Sequence, residues 1–211
     1  STQSKLLQKY LEDDGHTVVL TREPGGTDLG KELRDILLHT HDHVSPRAEA
    51  LLYAADRAHH VETKIRPALE RGEIVITDRY LDSSIAYQGA GRVLSPGEVG
   101  RISRWATESL IPTLTIIIDL PAEIGIGRLK SRDRLESESL AFHERVRQEF
   151  LSLSLLDPER YLVVDGRQSV EDIHATIVAR VSELRDLNRI EKQPKPKKRI
   201  IKKPTLRKKS K

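Results

Sequence analysis

Four short apolar runs, separated by longer stretches of helical periodicity, restrict this chain to few folds. The runs lie at about Thr17–Thr21, Ile74–Thr77, Leu114–Leu120 and Tyr161–Asp165, and read as parallel-type strands. Helical patterns fill the intervals at Ser4–Asp13, Leu29–Leu38, Arg47–Arg71, Pro96–Ser109, Glu123–Lys130, Ser139–Leu155 and Val170–Leu187, with Pro67 expected to kink the third. In Ser4–Asp13, Leu6, Leu7, Tyr10 and Leu11 share one face, and Gly15 is placed to end the helix. Strands alternating with helices bury their faces best as a doubly wound α/β domain. Ligands of such folds bind at the carboxyl ends of the strands.

That rule directs attention to Asp78–Arg92, DRYLDSSIAYQGAGR, directly behind the apolar run Ile74-Val75-Ile76. It places an acid, a base, hydroxyls, an amide and glycines at a strand's carboxyl end. Asp78 can orient a metal or a proton, and Arg79 can clamp a phosphate through two parallel N–H bonds; a structural salt bridge between them is the plainer alternative. Tyr53 and Arg57 are four apart and share a helical face. Without further information they read more readily as a core ring and a surface partner of Asp56 than as site residues. Glu23-Pro24-Gly25-Gly26 forms a sharp turn after the first strand.

Composition narrows the function classes. The chain of 211 residues contains no cysteine, which excludes disulfides, thiolate zinc sites and cysteine nucleophiles. No apolar stretch approaches the roughly 18 residues a membrane span needs, so a cytoplasmic location is expected. The net charge of +4 divides unevenly: Arg189–Lys211 holds 12 Lys/Arg against Glu191, leaving a body of net −7. The overall basicity therefore says nothing about the body binding nucleic acid. Residues 189–211 are expected to be a basic, unfolded tail, either a solvated extension or a source of weak, non-specific nucleic-acid contact. His39, His41 and His43 in HTHDH lack a fourth zinc ligand and read as a solvated loop.

Four blocks in order, TREPGGT at Thr21–Thr27, LYAADRAHHVETKIRPAL at Leu52–Leu69, TDRYLDSSIAYQGAGR at Thr77–Arg92 and DRLES at Asp133–Ser137, resemble bacterial thymidylate kinase. The resemblance runs from Ser1 to about Leu187. It implies a P-loop nucleoside monophosphate kinase that moves the γ-phosphoryl of Mg-ATP onto dTMP. The implied fold is a three-layer parallel sheet flanked by helices, with its first, central strand and phosphate loop absent from this chain. Ser1 and Thr2 then correspond to residues just after the loop's lysine, with Ser1 as a magnesium-liganding hydroxyl beside Asp78.

On the acceptor side the resemblance implies Arg79 on the monophosphate, Tyr53 stacked on thymine, Arg57 and Ser84 at the base, and Tyr87 by the sugar. Gln88 joins them in a polar loop, and Glu23 belongs to the turn facing the acceptor phosphate. Residues 128–137 correspond to a mobile lid, in which Arg128 would hold the donor while Arg132 and Arg134 stabilise the transferring group; a solvated charged loop is the alternative. A homodimer through helix packing is implied as well. The other readings are a different nucleoside monophosphate kinase or an inactive acceptor-binding fragment.

Overall fold

The computed structural model describes residues 2–40, 43–128 and 133–192, the last six by their backbone alone; Ser1, His41, Arg132 and most of the basic tail lie outside it. All four expected strands form: β1 (Val18–Arg22), β2 (Ile74–Asp78), β3 (Thr115–Asp119) and β4 (Tyr161–Asp165). They pair in parallel, β1 with β2 and β3 with β4. The described residues thus contain two two-stranded parallel sheets flanked by helices, the expected α/β class.

A shared core joins the two pairs. Helix α1 (Thr2–Asp13) presents Leu7 and Leu11, and α9 (Val170–Lys192) presents Ile173 and Ile177. Val18, Ile74, Ile76, Ile116, Leu162 and Val164 meet them from every strand, and α9 runs past residue 188 into the expected tail. Val75, between Ile74 and Ile76, faces the opposite layer and packs with Val61, Ile65, Tyr80, Leu81 and Ile85. This alternation is the period of two that a strand covered on both faces requires.

Two departures from the sequence reading concern helices. The expected helix Arg47–Arg71 is three pieces: α3 (Pro46–His60), a π-helical turn Val61–Ile65, and α4 (Arg66–Glu70). Pro67 has no N–H for the preceding turn, and Arg66 N–H bonds back five residues to Val61 O, so the helix widens there. The segment after β2, expected as a polar loop, is also helical. It comprises α5 (Leu81–Ser84) and a π-helical stretch Ile85–Gly91. Close packing holds that stretch: a Cβ on Gly89 would lie 3.0 Å from Pro96 Cα at the start of α6 (Pro96–Ala106). One on Gly91 would lie 2.7 Å from the Phe142 ring of α8 (Leu140–Leu156).

Asp82 in α5 ties this segment to the second strand pair. Its carboxylate accepts from Thr115 Oγ1 at 3.0 Å, Arg160 at 2.9 and 3.1 Å, and Tyr161 Oη at 2.7 Å. The remaining helices are α2 (Asp28–His39), capped by Thr27, and α7 (Ala122–Gly127). Among the described residues no helix is long and apolar enough to cross a membrane.

Candidate active site

The carboxyl end of β2 opens onto a pocket lined by Glu23, Tyr53, Arg57, Arg79, Ser83, Ser84, Tyr87, Gln88 and Leu135. Strand register begins the assembly, because Arg22 pairs with Asp78 and Glu23 N–H bonds to Asp78 O at 3.0 Å. Arg79 follows with φ +70°, a left-handed conformation that side chains other than glycine rarely adopt, and Thr77 Oγ1 closes the turn on Arg79 O at 2.8 Å. The guanidinium of Arg79 lies over the Tyr87 ring, 4.6 Å from its centroid. A cation held against an aromatic ring on a strained residue at a strand end is suited to an anion.

Helix α3 supplies the pocket's back wall. Glu49, Tyr53, Asp56, Arg57 and His60 recur at helical spacing and are all buried. Arg57, 1% exposed, donates Nε to Glu23 at 2.7 Å, NH1 to Ser84 Oγ at 3.1 Å and Ser103 Oγ at 3.3 Å, and NH2 to Tyr80 O at 3.2 Å. These bonds use four of the five N–H groups of a guanidinium. A buried ion pair is secure only when its remaining donors are satisfied. The other oxygen of Glu23 meets His60 Nδ1 at 3.0 Å, and His60 Nε2 meets Thr21 Oγ1 at 2.8 Å.

The Glu23–Gly26 turn is held from three sides. Arg34 donates to Pro24 O at 3.1 Å, Lys64 to Gly26 O at 2.9 Å, and Gly25 N–H donates to Asp56 Oδ1 at 3.3 Å. Gly25 has φ +104°, and a Cβ on Gly26 would come within 2.4 Å of His60 Nε2, so both positions require glycine. Asp56 is 1% exposed, and its Oδ2 has no hydrogen-bond partner. Burial, and then the charge of Glu23, push its carboxyl up to about 6.

Tyr53 is both core and pocket wall, packed with Leu37, Leu38, Ala86, Leu135 and Phe142, and burial pushes its hydroxyl above the usual tyrosine range. Ser84 and Gln88 are almost fully buried, while Tyr87 rests edge-on against Phe142 and Phe150. Gln88 Nε2 donates to Glu49 at 3.0 Å.

The expected residues of the lid are divided. Exposed Arg128 ends α7 and donates to Gly166 O at 3.2 Å. Arg134 does not point into open solvent: it donates to Leu37 O at 2.8 Å and to Glu49 at 2.6 Å. Thr2 stands exposed at the amino end of α1.

Sequence reasoning did not place Ser83, Leu135, Glu49 or His60 in the site, and its alternative reading of Asp56 as a surface partner of Arg57 fails because both are buried. Their signal was available. Glu49, Tyr53, Asp56 and His60 recur at intervals of four, three and four beside the alanines of α3, a spacing that puts polar residues on one face.

The sequence profile of the thymidylate kinase family matches residues 1–177. The chain belongs to the thymidylate kinase family. Thymidylate kinase of Clavibacter michiganensis subsp. michiganensis is 58% identical over 188 residues, covering 87% of this chain and 89% of that one. The thymidylate kinase of Clavibacter sepedonicus is 60% identical over 184 residues, 85% of this chain and 87% of its own. Among solved structures, thymidylate kinase from Ehrlichia chaffeensis superposes with a TM-score of 0.70 at 30% identity, covering 85% of this chain and 90% of that one. Membership makes the chain a nucleoside monophosphate kinase, with ATP as phosphoryl donor.

Proposed function

We infer that the protein transfers the γ-phosphoryl group of Mg-ATP to dTMP, yielding dTDP for deoxynucleotide synthesis. The observation that carries this reading is the single pocket in which Glu23, Tyr53, Arg57, Arg79, Ser84, Tyr87 and Gln88 converge at the end of β2. Phosphoryl transfer requires positioning and charge neutralisation more than covalent chemistry. Arg79 clamps the acceptor phosphate and aims it, its guanidinium steadied by Tyr87. Tyr53 stacks on the base, and the remaining N–H of Arg57 and the polar atoms of Ser84 and Gln88 read its edge. Tyr87 lies by the sugar. A pocket of buried polar groups rejects a mismatched base because its donors would be left unpaired.

Magnesium usually binds through one or two carboxylates together with substrate phosphates. Asp78, half-buried at the strand end beside Arg79, fits that demand, and Ser1 is the hydroxyl proposed to join it. The ion would neutralise phosphate charge. Thr2 and Arg128 are assigned to the donor nucleotide, Thr2 because the amino end of a helix attracts anions. Arg132, outside the described residues, is proposed to stabilise the transferring group. We place the protein in the cytoplasm, as a homodimer with the exposed Trp105 on α6 as one contact.

A coupled assay of ADP release with dTMP, dUMP, AMP and GMP tests the assignment. Turnover is expected to be fastest with dTMP; a preference for AMP overturns the base assignment.

A further inference from the structure

Glu49 stands at a junction that the acceptor pocket alone does not explain. It lies in the first turn of α3 and is completely buried. One oxygen accepts from Gln88 at 3.0 Å and Arg92 Nε at 3.2 Å; the other accepts from Arg92 NH2 at 3.0 Å and Arg134 NH2 at 2.6 Å. Burial opposes its charge, but the hydrogen bonds from Arg92, Gln88 and Arg134 outweigh it and hold the carboxyl below its ordinary range. A carboxylate that is fully desolvated yet remains ionised has its position fixed by its donors.

Those donors come from separate parts of the molecule. Gln88 lines the acceptor pocket. Arg92 ends the π-helical stretch, lies over the Phe142 ring and also bonds Glu138. Arg134 belongs to the segment just after residues 129–132, and it also takes up Leu37 O while its N–H bonds to Leu38 O at the end of α2. Leu135, its neighbour, lines the pocket and packs in the core with Tyr53. The segment is internally ordered: Asp133 Oδ1 accepts the N–H of Leu135 and Glu136, and the N–H of Ser137 and Glu138 bond to Asp133 O and Leu135 O.

We propose that Glu49 is a positioning residue that ties the acceptor pocket, through Gln88, to the segment 133–138, through Arg134. Acceptor binding thereby steadies the segment 133–138 to which Arg134 belongs. Arg134 on this view is a positioning residue, with its guanidinium spent on Glu49 and Leu37 O. The proposal rests on dTMP being the acceptor.

Hydrogen exchange at the amides of Arg134–Glu138, with and without dTMP, provides the test. In the wild type dTMP should slow exchange there by about fivefold or more, as ligand binding suppresses local opening. Glu49→Gln keeps the shape but offers the two arginines a neutral, weaker acceptor. Arg134→Met leaves Glu49 satisfied by Gln88 and Arg92, so at least one variant should fold. In the folded variants dTMP should bind within about tenfold of wild type, with the slowing at these amides reduced below about twofold and kcat lowered more than KM for dTMP is raised. Undiminished slowing in Arg134→Met overturns the proposal. So does a wild type that binds dTMP without slowing, while one that does not bind dTMP overturns the acceptor assignment along with it.

Discussion

Two acids that act on each other electrostatically are held in opposite ways. Glu23 is paired with Arg57 at 2.7 Å, whereas Asp56 is buried with one oxygen unpaired and a carboxyl raised to about 6. A carboxyl raised above its unfolded value of 3.8 contributes stability that is full below pH 3.8 and is lost as pH rises through about 6. Asp56→Asn removes the charge and keeps an oxygen for Gly25 N–H. It should raise the melting temperature at pH 8, by the equivalent of about 3 kcal/mol, and make no difference at pH 3.5. Thermal melts at the two pH values check this. Arg57→Met should do the reverse at every pH near neutral, because it leaves Glu23 buried without its guanidinium partner and held only by His60, costing about 3–5 kcal/mol. Arg79→Ala removes an exposed side chain, so stability should change by less than about 1 kcal/mol while kcat/KM for dTMP falls about a hundredfold or more. The contrast between these two arginines was only half legible in the sequence. Spacing put Arg57 and Tyr53 on one face, but nothing local told that the face turns inward onto Glu23, which lies 34 residues away.

At the level of elements, alternating apolar runs located all four strands to within a residue or so, because burial on both faces leaves a continuous hydrophobic signature. The same logic failed for Leu81–Gly91. Its serines, glycines and glutamine read as a loop, yet their small or polar side chains serve close packing and an inward-facing pocket, so tertiary contacts override local propensity. Gly91→Ala measures that constraint: its methyl would meet Phe142 at 2.7 Å, and overpacking should destabilise by about 1–3 kcal/mol in urea denaturation. The widened turn before Pro67 was partly foreseen, as a kink at the proline instead of a broadened turn preceding it.

For the whole molecule, one face of the fold is unified by apolar packing of α1 and α9 across both strand pairs, and the other by the charged clasp of Asp82. Charge pattern showed the acidic body and basic tail, but no sequence signal paired Asp82 with Arg160, 78 residues further on. Asp82→Ala strands Arg160 and Tyr161 without their shared acceptor and should cost about 3 kcal/mol or more, read as a lower urea midpoint. The clasp also gives the active site a foundation outside itself. A random-mutagenesis survey scored only for lost kinase activity should recover Asp82 beside Arg79. Sorting the hits by abundance in the cell would then part them, Asp82 variants being depleted and Arg79 variants present at full level.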